Sequence, residues 1–246
     1  RNAGPPAPTC ARAWGGSANG WPHAQDRAGQ GGERYMGRAP AASLRAVALA
    51  PDSPEVLISQ GWILYAEGKY EDAVRLTRAA IGRKRDCEGA YYLLLRALFA
   101  SGKYDEVATL AEEAIEAAGT DYNVYIPIMN ALGALKNEAA KRNVRQRLLQ
   151  AFENHLREVP EDARARILRA GMYAQEGRSD DSVREANLAM VLRPNEATVL
   201  YNAACTFASL GKRAEALDAL RKAWDAGFKD ADWTRRDPDL TSLHDD

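Results

Sequence analysis

The sequence predicts an all-α chain, a solenoid of helix-turn-helix units stacked one on the next. Three observations carry this. Gly68, Gly102, Gly177 and Gly211 are separated by 34, 75 and 34 residues, and Ala80, Ala114, Ala189 and Ala223 repeat those intervals; a fixed period of this size marks a supersecondary unit copied along the chain. Apolar residues fall at helical spacing on both sides of each glycine. No stretch sustains the period-two alternation of β-branched residues that a half-buried strand requires. Because 75 is twice 34 plus seven, one copy lies unmarked in the middle and carries seven extra residues.

The copies can be read in order. In the first full unit Leu57, Gly61, Leu64 and Tyr65 form a helical stripe, Gly68 ends it, and Tyr70, Ala73, Thr77 and Ala80 begin the next helix. The second unit keeps the phase with Tyr91, Leu94, Leu95 and Leu98, then Gly102, then Tyr104, Val107, Ala111 and Ala114. The third has Tyr125, Ile128, Met129 and Leu132, with Lys136 where the glycine is expected. Its second helix is longer by two turns, about 10 Å at the helical rise, with a stripe of Ala140, Val144, Leu148, Phe152 and Leu156. The fourth runs through Tyr173, Gly177, Ala186 and Ala189, and the fifth through Leu200, Ala204, Phe207, Gly211, Ala216 and Ala223. Glycine suits the left-handed position that stops a helix, and alanine lets two antiparallel helices approach closely. Ser53, Asp162 and Asn195 are the expected N-caps.

Residues 1–38 are rich in glycine, proline and arginine and read as irregular; Trp14 and Trp21 either pin this segment to the folded body or stand free of it. Residues 39–53 read as a degenerate half-unit, 54–228 as five units, and 229–246 as a C-terminal capping segment. The 33 basic and 34 acidic residues leave a net charge of −1, which excludes a global attraction to nucleic acid or anionic lipid. No apolar run is long enough for a membrane helix. Cys10, Cys87 and Cys205 lie far apart without a C-x-x-C pair, so reduced thiols and a cytoplasmic location are expected. A chain that starts at Arg1 is expected to be a fragment or a processed product.

At 34 residues, with a bulky residue, small positions, Gly and Ala in fixed order, the unit resembles the tetratricopeptide repeat. The resemblance covers residues 54–228 and implies a right-handed superhelical solenoid. The stretch from Tyr201 to Asp246 further resembles the end of the repeat arrays attached to bacterial serine/threonine kinases and to adenylate-cyclase or TolB-like regulators. There are departures. Arg85, Gly119 and Phe228 stand where the family closes a unit with proline. Arg166 and Arg169 stand where it has a bulky apolar residue and leucine, which questions how that unit packs.

Motifs for catalysis are missing: there is no G-x-G-x-x-G after a strand, no P-loop and no G-x-S-x-G elbow. The glycine-rich GGSANG string at 15–20 has no flanking elements and reads as a linker. His23, His155 and His244 are isolated, and no cofactor or metal is expected. Asp230, Asp232, Asp237 and Asp239 lack the spacing of a calcium loop and read as caps and solubilising charges. Cys205 has no neighbouring His or Lys in sequence to activate it. The chain is expected not to be an enzyme.

What remains is binding. In the resembled family, the second, fifth, ninth and twelfth positions of each unit face the groove, and here these supply the candidate peptide-binding residues Trp62, Tyr65, Tyr92, Arg96, Phe99, Asn123, Asn130 and Tyr201. Aromatic and Arg side chains are the usual anchors of such a patch, and a side-chain amide can both donate and accept. The same aromatics could instead pack against the N-terminal segment or a C-terminal helix folded into the groove. The residue set by which chaperone-binding members clamp a C-terminal carboxylate is not reproduced, since Ile126 and Leu168 stand at two of its slots. Residues 136–178 are basic, with Arg142, Arg145, Arg147, Arg164, Arg166 and Arg169 offering either an acidic-partner site or a solvated face, whereas 225–246 are acidic. The expected function is a protein–protein interaction scaffold within a larger bacterial signalling protein, with an unidentified protein or peptide ligand. The alternatives are a substrate-positioning array for a kinase or cyclase, and a self-association element forming a weak homo-oligomer.

Overall fold

Ser53 starts the first helix in the way its position predicts: its Oγ accepts from the Val56 amide at 3.2 Å, and Pro54 occupies the first turn, where its missing N–H costs nothing. The computed structural model describes residues 53–243. The expectations for residues 1–38, for Trp14 and Trp21, for nearly all of the half-unit 39–53 and for His244 lie outside them.

The described residues form α1 (Pro54–Ala66), α2 (Tyr70–Arg83), α3 (Ala90–Ala100), α4 (Tyr104–Ala118), a 3₁₀ turn (Tyr122–Val124), α5 (Tyr125–Ala134), α6 (Glu138–Glu158), α7 (Ala163–Gln175), α8 (Ser179–Leu192), α9 (Ala197–Ser209), α10 (Arg213–Asp225), α11 (Ala231–Arg236) and a 3₁₀ helix (Pro238–Leu243). Among them there is no strand, as the sequence predicts. The chain divides within α6, between Val144 and Arg145, into two compact units.

One turn geometry recurs between paired helices. After α1, the Lys69 amide bonds back to the Leu64 carbonyl at 2.8 Å across Gly68, a Schellman closure that needs a left-handed residue. The same bond forms across Gly102, Gly177 and Gly211, from Lys103 to Leu98, Arg178 to Tyr173 and Lys212 to Phe207. Lys136 makes it too: Asn137 bonds to Leu132 at 2.9 Å while Lys136 sits at φ 55°. The turn is therefore kept where the glycine is not, at a backbone cost of roughly 1 kcal/mol.

In unit 1, α1 pairs with α2 and α3 with α4, and the first helices α1, α3 and α5 lie side by side. Ala73, Ala80 and Ala114 are fully buried between paired helices. Gly61 allows a closer approach still, since a Cβ there would stand 2.8 Å from Leu93 Cδ2 and 3.3 Å from Thr77 Oγ1. In unit 2, α7 pairs with α8 and α9 with α10, and the terminal 3₁₀ helix lies on α9. Leu240 and Leu243 of that helix join the core built from Val199, Leu200, Phe207 and the alanines of α8 and α10.

The seven extra residues appear where the period places them, in α6, which has 21 residues against 14 in α2 and α8. Its predicted stripe is buried at Val144, Leu148, Phe152 and Leu156. Asp162 caps α7 through the Ala165 amide at 3.0 Å. Asn195 is a correction. It falls inside a turn closed by the Glu196 amide on the Arg193 carbonyl, so Glu196 takes the N-cap position of α9 and makes no side-chain cap bond.

The two arginines at apolar positions are also explained. Arg166 Nη1 and Arg169 Nη2 both donate to Glu185 Oε2, at 2.9 and 2.8 Å, and Glu185 is only 3% exposed. Arg166 also donates from Nε to the Pro160 carbonyl. A buried carboxylate on the facing helix thus replaces an apolar contact, and these two residues point inward rather than into a basic surface patch.

Candidate functional site

Three turns of helix build a cluster on unit 1. Trp62 and Tyr65 are three apart on α1, and Tyr92, Arg96 and Phe99 are spaced four and three apart on α3, so each set shares one helix face. Because α1 and α3 are neighbours, the two faces meet. Arg96 lies at the centre. Its Nε and Nη2 donate to the Tyr65 phenol oxygen at 3.3 and 3.0 Å, and its Nη1 donates to that of Tyr92 at 3.0 Å. Its Cζ is 5.0 Å from the Tyr65 ring centroid, 5.6 Å from Tyr92 and 6.0 Å from Trp62. The Trp62 ring stands edge-on to Tyr65 with centroids 5.7 Å apart and is as close to Tyr92.

A guanidinium among ring faces gains electrostatic attraction of about 0.5–2 kcal/mol per good contact, more when water is excluded. Burial pulls the Arg96 pKa down, but Tyr92 and Tyr65 outweigh it and the net shift is upward. The cluster therefore holds a fixed positive charge in an aromatic frame, with Trp62, Tyr65 and Arg96 all partly exposed.

The other candidates of unit 1 are placed less centrally. Phe99 is partly buried and packs its ring 5.1 Å from Tyr104 of α4. Asn123, in the 3₁₀ turn, donates its amide to Asp121 Oδ1 at 2.6 Å, and Asn130 is exposed on α5. Sequence reasoning missed Tyr70, whose ring lies 5.4 Å from Tyr65 and backs the cluster from α2.

Tyr201 belongs to unit 2, where it meets the alternative surroundings the sequence left open, a C-terminal segment packed on it. It is buried, stacks on Phe228 with centroids 4.0 Å apart, and donates its phenol hydrogen to Asp237 Oδ2 at 2.5 Å. The chain's own C-terminal segment covers it, because Leu240 and Leu243 gain burial by lying on α9. Asp237 does cap, as its sequence context predicts, accepting the Asp239 amide on Oδ1. It also fills the position facing Tyr201.

Cys205 Sγ lies 3.8 Å from Asp237 Oδ2, and the ligand atoms of Cys205, Asp237 and Asp239 all fall within 4.8 Å of one another. These are the described residues whose donor set could hold a metal. Burial, then the Asp237 charge, pushes the Cys205 thiol well up, and burial followed by the Tyr201–Asp237 bond does the same for the phenol. Asp239 is raised by burial and then by Asp237. The Tyr201 phenol and the Cys205 thiol thus keep their protons, and their contacts with Asp237 tie the tail to α9. Beside it, an apolar cleft of about 310 Å³ opens between Leu217, Leu220 and Trp224 of α10 and Ala231 of α11, with Trp224 47% exposed.

Comparison with known proteins agrees with the repeat geometry. Two tetratricopeptide-repeat family models match, one over residues 64–126 and the other over residues 197–225. A TPR repeat-containing protein of Pseudomonas aeruginosa is 48% identical over 50 residues, 20% of this chain, and the match spans only 8% of that relative's length. Among solved structures, a thermophilic TPR protein from Thermus thermophilus superposes with a TM-score of 0.60 at 22% identity, covering 78% of this chain and 99% of that one. YrrB, a TPR protein with an unusual peptide-binding site, matches with a TM-score of 0.45 at 22% identity over 76% of this chain and 93% of its own. Among the described residues no helix is long and apolar enough to cross a membrane. The chain carries tetratricopeptide repeats in an all-α fold.

Proposed function

We propose that this chain is a non-catalytic protein–protein interaction module that binds a peptide or protein segment on the face of unit 1 built by α1, α3 and α5. The observation that carries this reading is Arg96 framed by Trp62, Tyr65 and Tyr92. Arg, Trp and Tyr in one partly exposed cluster are the residues that dominate binding patches, since they bury large area at modest entropic cost. Phe99, Asn123 and Asn130 extend the face along α3 and toward α5. Tyr201, occupied from within, is left out. The resemblance of residues 201–246 to arrays of bacterial kinases and cyclase-type regulators supports a regulatory place within a larger signalling protein.

The test is affinity capture from source lysate by the wild-type chain and by Trp62→Ala/Tyr92→Ala/Arg96→Ala, with equal helicity by circular dichroism. Loss of a specific partner by the variant, corresponding to at least about a 100-fold drop in affinity, is expected. Equal capture of that partner by both proteins rejects this face as the binding site.

A further inference from the structure

The last repeat of unit 2 leaves open a face that is closed on α2 and α8. A shift of 143 residues takes Gly68 to Gly211 and Ala80 to Ala223, and the same shift takes Val74 to Leu217, Arg78 to Arg221 and Ile81 to Trp224. On α2 the following repeat closes this face. α3 packs on α2, Val74 is buried and Ile81 partly so, and Arg78 is joined to Glu106 in the first turn of α4. On α8 the equivalents Val183 and Met190 pack on the core that includes α9. After α10 comes only the six-residue α11. The cleft between α10 and α11 stays open, with Trp224 47% exposed and Arg221 exposed at its edge.

The chemistry of the cleft states what fits it. Its floor is apolar, and Arg221 and Arg235 are the charged residues of its lining. Lys229 lies 4.4 Å over one face of the Trp224 ring and adds to the positive edge. Asp232 of α11 is set toward Arg235, at 3.5 Å, and the tail beyond α11 buries Leu240 and Leu243 against α9 instead. An apolar patch of this kind marks an interaction site, and its cationic edge favours a carboxylate beside the apolar contact. The repeat supplies the same answer: what closes this face on α2 is a helix, and what meets the arginine there is a glutamate.

We propose that the α10–α11 end of unit 2 docks an acidic amphipathic helix of a partner protein, with its apolar face on Leu217, Leu220 and Trp224 and a glutamate or aspartate on Arg221. It uses none of the residues of the unit 1 face and stands or falls independently of that reading. The experiment uses the whole chain as bait for a display library of helices of about 20 residues, long enough to hold a helix, with one face randomised. Retained helices are resynthesised in pairs that differ only by Glu or Gln at one acid. Helices retained by wild type should be retained equally by Trp62→Ala/Tyr92→Ala/Arg96→Ala and lost by Trp224→Lys. The Glu member should be held about tenfold more tightly than the Gln member, a preference that added salt and Arg221→Gln both remove. Trp224 is half exposed, so its exchange should leave the circular dichroism spectrum unchanged, and the Glu-to-Gln exchange needs no protein variant at all. Equal binding of Glu and Gln members overturns the acidic ligand. Helices kept by Trp224→Lys but lost by the triple variant belong to the unit 1 face and overturn this site alone. Retention of no helix overturns it as well. A wild-type chain that sediments as a dimer, with Trp224→Lys a monomer, gives the face to a second copy and overturns the partner helix.

Discussion

Units 1 and 2 solve the same repeat with different chemistry, and their equivalent positions show how. Leu57 and Leu76 pack in one apolar cluster of unit 1; 109 residues later the same two positions hold Arg166 and Glu185, joined at 2.9 Å. Tyr92 is buried and carries the partly exposed Arg96, whereas its counterpart Tyr201 lies, with Cys205, against the chain's own tail. The repeat thus fixes where helices go and leaves open what fills the contact between them.

The largest effect is expected at the ionic contact. Glu185→Gln removes the negative partner of two inward-facing guanidinium groups, and should cost about 3–5 kcal/mol in chemical denaturation. Giving unit 2 the residues of unit 1 at these positions, Arg166→Leu, Arg169→Gln and Glu185→Leu after Leu57, Gln60 and Leu76, should restore stability to within about 1 kcal/mol of wild type, because an apolar replacement of a buried ionic group is often neutral or better. A triple variant as unstable as the single one would show that the two units are not interchangeable here.

A middle-sized effect is expected at the tail. Tyr201→Phe leaves a buried carboxylate oxygen without its donor, and should cost about 1–3 kcal/mol while speeding hydrogen exchange through residues 238–243. Unchanged protection of that segment would mean that Leu240 and Leu243 alone hold it. The smallest change is Lys136→Gly, which brings the odd turn into line with those at Gly68, Gly102, Gly177 and Gly211 by removing the left-handed penalty. It should raise stability by about 0.5–1 kcal/mol in the same denaturation assay, somewhat less than the strain relieved because glycine also gains entropy in the unfolded chain.

Much of the fold was legible because its causes are local and repeated. Gly68, Gly102, Gly177 and Gly211 announce the turns, the alanines announce the helix contacts, and the arithmetic of the period locates the long α6. Asn195 misled because a cap depends on which residue of a turn first faces the helix, and one residue of slip changes it. In the candidate site, Trp62, Tyr65, Tyr92 and Arg96 could be named from their places in the unit. Glu185 had a signal that went unused: two arginines at apolar positions call for an acid on the facing helix, and Glu185 lies there. Tyr70 could have been found by its distance along the turn from Tyr65.

By itself, the sequence determined the all-α class, the phase of the repeats and the face on which each residue stands, since these follow from periodicity along a single chain. Only the tertiary structure decided which faces are occupied. Asp237 lies 36 residues from Tyr201 and outside any repeat, so no period predicts that they meet. Their contact follows from the burial gained when Leu240 and Leu243 settle on α9, a gain that exists only once the helices have packed and their surfaces compete for the same segment of chain.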